Sequence, residues 1–224
     1  MIPLRSSERT YSTATVTLAL IAVNVLIFLF EWSLGRQALG SFIQHYGIVP
    51  DQFRYSTLIT SMFLHGGFLH VIGNMWFLWI FGQRIEELLG HGEFFLFYML
   101  SGVAAGLVQL AFNLGSPVAT IGASGAIAGV MGAYLIKFPR ARIITLVPIF
   151  IFLTTFEIPA AFLLLYWFAI QFFSGFGSLG ANGGDNNIAF LAHVGGFIAG
   201  MALILILPTS RATGPGARSN DLAS

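Results

Sequence analysis

A glycine-flanked serine, Ser124, directly precedes the short apolar run 126–136. A helix begins with unpaired backbone N–H groups and a partial positive charge, which together can hold an oxyanion. A serine hydroxyl is a weak nucleophile unless a neighbouring base takes its proton. The sequence Gly122-Ala123-Ser124-Gly125 is therefore a candidate nucleophile site. Taken alone, a serine in a Gly/Ala-rich helix is more often a packing residue bonded to its own helix.

Three further polar residues lie within apolar segments and could complete such a site. His193 is the candidate base for Ser124. His70 and Asn74 are four residues apart, hence on one helix face, and could donate to a developing oxyanion alongside the Ser124 amide. Asn24, Gln109 and Gln171 are less compelling candidates. Polar groups inside a membrane are costly, so they are usually functional or buried against partners.

Small residues would let the helices bearing Ser124 and His193 approach each other. Gly125 and Gly129 line one helix, and Gly196 and Gly200 line the other, at spacings suited to close contact. No carboxylate is placed to orient His193, because Asp185 lies in a Gly/Asn-rich loop and Glu157 lies near the opposite surface. The pattern therefore predicts a Ser–His dyad rather than a triad.

Composition places these residues in a membrane protein. Hydrophobic residues make up 56% of the 224-residue chain and charged residues only 8%, about a third of the share in a typical soluble domain. The absence of cysteine excludes disulfides, thiolate metal sites and a cysteine nucleophile. The net charge of +1 gives no indication of nucleic-acid binding. The polar N-terminal residues lack a convincing cleavage site, so the first apolar run is expected to be retained.

Hydrophobic runs predict an all-α bundle of six transmembrane helices. A cytoplasmic N-terminal segment, 1–14, would precede the bundle of residues 15–207, and a disordered cytoplasmic tail, 208–224, would follow it. Eight of the ten Lys and Arg residues fall on the side of the termini, which predicts cytoplasmic termini. Ser124, His193 and His70 would then lie near the outer face. The predicted spans are Thr15–Trp32, Phe68–Phe81, Glu93–Asn113, Gly122–Ile136, Ile158–Phe176 and Asn187–Leu207.

Three other segments have less regular patterns. The long polar-aromatic connector Ser33–Leu64 is expected to be partly embedded at the interface. Ile143–Phe156 is apolar but interrupted by Pro148, which favours a surface-lying or re-entrant link. Gly177–Asn187 is a Gly/Asn-rich segment that predicts a mobile loop. In the third span, Gly102 and Gly106 are spaced for close helix contact.

These motifs, in this order, resemble the rhomboid family of intramembrane serine proteases. Gly122–Gly125 resembles the family's GxSG nucleophile motif, and the segment from Ala192 to Gly200 resembles its base-bearing motif. His65 together with His70–Asn74 resembles the HxxxN oxyanion motif, and Gly82–Glu86 resembles a GxxxE element. The resemblance covers nearly the whole chain to Leu207.

The resemblance implies a function and a division of roles. Ser124 would attack a peptide bond in or beside a substrate's transmembrane segment, and His193 would act as base and then acid. His70, Asn74 and the Ser124 amide would stabilise the oxyanion. Single-span membrane proteins would be the substrates, in a lipid bilayer, with no metal and no cofactor. The fifth span and the loop after it would gate substrate and water. The compact frame suggests a prokaryotic plasma membrane.

Two positions depart from the family pattern. The usual Trp-Arg pair of the connector is Phe53-Arg54 here. Many members place an aromatic residue four positions after the serine, where it packs on the catalytic histidine, and here that position is Ala128. The residue that holds His193 in place is therefore left open.

Two other function classes are compatible with parts of the pattern. A non-proteolytic rhomboid-like protein that binds membrane helices would share the frame, although such pseudoenzymes usually lack the serine or the histidine. A small channel or transporter could use His70 and His193 as a proton path. That class predicts polar residues spread through the membrane depth, whereas these cluster near one face.

Overall fold

The computed structural model describes residues 2–8, 10–149, 152–178 and 190–209. Within these ranges the chain forms α-helices, two short 3₁₀ turns (Pro50–Gln52 and Ser61–Phe63) and three β-strands. In chain order the elements are β1 (Ile2–Ser6), α1 (Thr15–Ser33), α2 (Arg36–Tyr46), α3 (Thr57–Thr60), α4 (Phe68–Leu89), α5 (His91–Phe112), α6 (Ser124–Lys137), β2 (Arg142–Ile149), β3 (Phe152–Pro159), α7 (Ala160–Ser178) and α8 (Phe190–Ile206).

The helices are apolar, as expected for a membrane protein. By length and hydropathy, α1 and α5 can each cross a membrane. The pair Thr57–Phe63 and α4, bent by 98°, makes a third span if it is counted as one. The helices α6, Ala160–Ser174 and α8 are apolar but shorter than a full span. The mostly helical membrane fold is confirmed, whereas the described helices yield two or three candidate spans and do not confirm the count of six.

The prediction of an all-α fold is wrong, because β-strands follow α6 and also form near the N-terminus. Strands β1, β2 and β3 form one antiparallel sheet in that order. The segment Ile143–Phe156, expected to be a surface-lying or re-entrant link, is most of the β2–β3 hairpin. Ile143 and Thr145 are fully buried while Arg142 is exposed, and this alternation with β-branched residues is the pattern of a half-buried strand. The predicted N-terminal segment contributes β1 to this sheet.

The remaining link and tail predictions fall largely outside the described ranges. Of the predicted loop Gly177–Asn187, residues 177 and 178 belong to the end of α7 and the others lie outside the described residues. The predicted tail from residue 208 is described only at its first two positions.

Helix α6 occupies the centre of the bundle, where it meets α8 backbone to backbone. Every residue from Gly125 to Tyr134 is buried. A Cβ atom added at Gly196 would collide with the Gly125 carbonyl oxygen, and one added at Gly200 would collide with the Gly129 carbonyl oxygen. The two helices can therefore pack at this distance only because Gly196 and Gly200 of α8 lack side chains. Cβ atoms added at Gly125 and Gly129 of α6 would mainly meet Ala105 and Ser101 of α5 instead.

A buried carboxylate joins the start of α1 to α4. Glu86, 1% exposed, accepts hydrogen bonds from the backbone N–H groups of Val16 and Thr17, each at 2.8 Å. It also bonds His91 Nδ1 at 2.6 Å. These bonds satisfy N–H groups of the first helical turn that have no partner within α1. Gly82 lies one turn earlier, where a Cβ would come 3.1 Å from Thr17 Oγ1, so the Gly82–Glu86 element packs α4 closely on α1.

Candidate active site

The connector after α1 forms backbone hydrogen bonds with the segment that leads into Ser124. Ile48 and Thr120 exchange backbone hydrogen bonds of 3.0 and 2.8 Å, and the Gly122 N–H donates to the Ser61 carbonyl at 2.9 Å. Gly122 has a φ of +125°, a conformation that strongly favours glycine. The chain then turns directly into α6, whose first residue is Ser124.

The connector is stabilised by Arg54, which belongs to the Phe53-Arg54 pair that departs from the family pattern. Arg54 donates to the carbonyl oxygens of Gln44 and His45 at the end of α2, and its Nη1 lies 3.2 Å from His45 Nδ1. An arginine at a helix C-terminus satisfies carbonyl groups that have no partner inside the helix. Arg54 therefore has a clear structural contact, although Phe53 replaces the usual tryptophan of this pair.

The structure brings Ser124 and His193 into direct contact. His193 Nε2 lies 2.7 Å from Ser124 Oγ, although 69 positions separate the two residues in the sequence. This distance depends on the close packing of α6 and α8. A hydroxyl within hydrogen-bond reach of an imidazole nitrogen is the arrangement from which a serine can lose its proton to a base.

Two residues of α7 hold the imidazole ring of His193. Gln171 Oε1 lies 2.7 Å from His193 Nδ1, on the opposite side of the ring from Ser124. The indole of Trp167 packs on the imidazole with ring centroids 5.7 Å apart. Trp167 is thus an aromatic neighbour of His193, whereas Ala128, at the position where the family often has an aromatic residue, is fully buried in the core of the bundle. The sequence motifs assign no role to Trp167, and Gln171 is only one of three less compelling polar candidates.

His70 lies across the site from His193. The Gly66 N–H donates to His70 Nδ1 at 3.3 Å, so in the neutral ring the proton is on Nε2. That nitrogen faces Gly122, where an added Cβ would lie 2.9 Å from it. Next to His70, the backbone N–H of His65 is held by the buried Glu31 carboxylate at 3.1 Å.

Asn74 lies one turn after His70 on α4. The side chain is 92% buried, and its Nδ2 has no hydrogen-bond partner among the described residues. A buried amide donor without a partner is costly, which is why such groups often mark a site that receives a ligand or a reacting group.

These side chains line one cavity of about 540 Å³. It lies between α4, α6, α7 and α8 and is largely apolar, and none of its lining residues is Asp, Glu, Lys or Arg. The residues that line it are Leu69, His70, Gly73, Asn74, Phe77, Ala119, Thr120, Ile121, Ser124, Ile127, Met131, Trp167 and His193. All four polar residues singled out in the sequence therefore meet at one cavity.

Residues 52–210 match the family model described as Rhomboid domain, which covers well over half of the chain. The chain belongs to the rhomboid family. Among curated relatives it is 30% identical to Rhomboid protein 1, mitochondrial, of Saccharomyces cerevisiae, over 82% of this chain and 50% of that protein. It is 34% identical to Rhomboid protease GluP of Bacillus subtilis, over 54% of this chain and 24% of that protein.

A third rhomboid relative is the human Presenilin-associated rhomboid-like protein, mitochondrial, 33% identical over 62% of this chain and 37% of that protein. The chain thus spans half or less of the length of these relatives. Two of the three are mitochondrial by name and one is bacterial. Membership establishes an integral membrane rhomboid, but these relatives do not favour the prokaryotic plasma membrane over a mitochondrial one.

Proposed function

We propose that this chain is an intramembrane serine endopeptidase that uses Ser124 and His193 as a catalytic dyad. The observation that carries the proposal is the 2.7 Å contact between Ser124 Oγ and His193 Nε2 inside an apolar cavity. Family membership supports it, since one relative, GluP, is named a protease. The apolar walls suit a transmembrane peptide segment as substrate.

The reaction begins when Ser124 Oγ attacks the carbonyl carbon of the scissile peptide bond. His193 Nε2 takes the hydroxyl proton as the new C–O bond forms, and then gives it to the leaving nitrogen as the C–N bond breaks. A water molecule, deprotonated by the same nitrogen, hydrolyses the acyl-enzyme ester and regenerates Ser124.

The negative charge on the carbonyl oxygen needs donors that are already in place. The Ser124 backbone N–H at the start of α6, the Nε2–H of His70 and the free Nδ2–H of Asn74 supply them from two helices. Donors fixed by helices need little reorganisation when the charge forms, which is how they lower the barrier.

The test is cleavage of a model single-span substrate by the purified protein in detergent or liposomes. Ser124→Ala and His193→Ala should abolish cleavage, and Ser124→Ala should also abolish covalent labelling by a fluorophosphonate. Ser101→Ala is the matched control, since Ser101 is a fully buried serine on the neighbouring helix α5 and should retain both activities. Cleavage by the Ser124→Ala variant at the parental rate would refute the proposed dyad and place the nucleophile elsewhere. Absence of cleavage and of labelling in the parent protein would instead favour a helix-binding protein.

The proposed orientation places Ser124 near the outer face and both termini on the cytoplasmic side. The chain has no cysteine, so a single introduced cysteine reports its own side of the membrane. In sealed, right-side-out vesicles a membrane-impermeant maleimide should label Ser41→Cys on α2 and should not label Tyr11→Cys before α1; both positions are exposed. The reverse pattern would mean the opposite orientation.

A further inference from the structure

We propose that Gln171 is a positioning residue that fixes the tautomer and the ring orientation of His193. The Gln171–His193 hydrogen bond does not depend on the proposed function, whereas its effect on catalysis rests on that function. Neither the sequence motifs nor the dyad requires a glutamine at this position, which lies 22 residues from His193 on a different helix.

The chemistry of the two side chains sets the direction of the bond. A carboxamide oxygen can only accept, so His193 Nδ1 must donate to Gln171 Oε1 across their 2.7 Å separation. In a neutral imidazole that leaves Nε2 without a proton, facing the Ser124 hydroxyl. The opposite tautomer would present an N–H to Ser124 and could not take its proton.

Burial makes the alternative tautomer costly. Gln171 is 91% buried, on a helix whose neighbouring residues are mostly apolar. If the imidazole proton moved to Nε2 and the carboxamide kept its orientation, Nδ1 and the carboxamide oxygen would face each other as two acceptors. The other tautomer therefore also requires the buried amide to turn over and present its NH₂ group. Within the described residues no carboxylate hydrogen-bonds His193, so this role falls to the neutral amide.

Trp167 adds to the restraint from the same face of α7. It lies four residues before Gln171, so the two side chains are neighbours along one helix face. The indole covers the imidazole ring while the amide fixes its edge, and Trp167 also packs against Phe197 of α8 at 6.2 Å between centroids. The imidazole of His193, which belongs to α8, is therefore held in place by side chains of α7.

The test separates the tautomer from activity. The purified protein, labelled with ¹⁵N-histidine, carries five histidines, and the His193 signals are identified by their loss in His193→Ala. The parent should show His193 with a protonated Nδ1. Gln171→Met removes the acceptor while keeping an unbranched side chain of similar length, and should lose this signature. Gln171→Glu keeps an oxygen in place and should retain it.

A kinetic measurement accompanies the spectra. Gln171→Met should lower the rate constant for fluorophosphonate labelling of Ser124 by about tenfold, since the loss of one buried neutral hydrogen bond is expected to matter at about that level. Gln171→Glu should restore much of that rate. Gln109→Met is the matched control, because Gln109 is a buried glutamine on α5 whose side-chain amide donates to Thr120 Oγ1 rather than to His193, and it should label like the parent.

Two results would overturn the inference. One is a parent spectrum in which His193 carries its proton on Nε2. The other is a folded Gln171→Met variant, judged by its thermal unfolding, with unchanged histidine signals and an unchanged labelling rate. A parent protein with the expected tautomer and no labelling of Ser124 would instead support the Gln171–His193 bond and count against the protease.

Discussion

Replacing Gly125 by alanine tests whether helix packing controls the geometry of the dyad. Gly125 follows Ser124 directly on α6, and a Cβ at this position would lie 2.6 Å from the Cβ of Ala105 on α5. Two carbon atoms at that distance repel strongly. Both atoms are rigidly attached to helix backbones, so the collision cannot be relieved by rotation of a side chain.

The size of the effect follows from the distances. Ordinary contacts begin at 3.4 Å, so α5 and α6 must separate by roughly 1 Å near Ser124. A shift of that size would carry the 2.7 Å Ser124–His193 contact beyond good hydrogen-bonding distance. Misplacement by about 1 Å can cost on the order of a hundredfold in rate. Overpacking of about 1–3 kcal/mol, offset by up to about 1 kcal/mol of helix propensity, should lower stability only modestly.

The assay compares kcat/KM for a model transmembrane substrate with thermal unfolding of the same preparations. Gly92→Ala is the matched control, because a Cβ there meets nothing within 4 Å and the substitution should leave activity unchanged. The double variant Gly125→Ala/Ala105→Gly removes the opposing methyl group and should recover at least tenfold of the lost activity.

The reasoning fails if the double variant is no more active than Gly125→Ala, since the Cβ–Cβ collision would then not be the cause of the loss. It also fails if Gly125→Ala is fully active. If Gly125→Ala fails to fold and the double variant recovers both folding and activity, the Cβ–Cβ collision is still the cause of the loss.

Three further variants address other parts of the structure. Asn74→Ala removes a proposed oxyanion donor and should lower kcat by about 10²–10³-fold with little change in KM; a rise in KM alone would assign Asn74 to substrate binding. Trp167→Ala uncovers His193 and should lower kcat severalfold, with Trp167→Phe in between, whereas equal loss in both would argue against ring packing. Glu86→Ala leaves the N–H groups of Val16 and Thr17 without an acceptor and should destabilise the fold by about 2 kcal/mol or more, measured by denaturant unfolding; an unchanged midpoint would contradict this.

The candidate site was largely predictable because each of its separate motifs is local in sequence. The spacing of His70 and Asn74 on one helix face, and of the glycines on α6 and α8, follows from helical periodicity alone. Hydropathy placed the four polar residues near one depth. The structure brings these side chains to a single cavity, and family membership is established, while their catalytic roles stay predictions.

Gln171 and Trp167 could not be assigned from the sequence because their role depends on tertiary contact. Nothing in the spacing of α7 and α8 shows which face of α7 meets His193. A buried polar amide in an apolar helix is the available signal, but Asn24 and Gln109 carry the same signal, and their side-chain amides donate to Leu20 and Thr120 instead.

The sheet escaped prediction for a different reason. Residues 143–149 are apolar and contain Pro148, which reads as a break in a helix as readily as part of an edge strand. The partner that completes the sheet, β1, lies at the other end of the chain, and its five residues carry no strong strand pattern of their own.

The sheet also constrains the order in which the protein can fold during its synthesis. The N–H of Arg142 bonds the side chain of Ser7, 135 positions earlier in the chain, and the paired residues of β1 and β2 are slightly farther apart in the sequence. A ribosome adds about 5–20 residues per second, so β1 waits on the order of ten seconds for its partner. During that interval its backbone groups are open to other strands. The strand pairs only after α6 has been made, so a chain that stops before β2 would contain Ser124 but would lack both the sheet and His193.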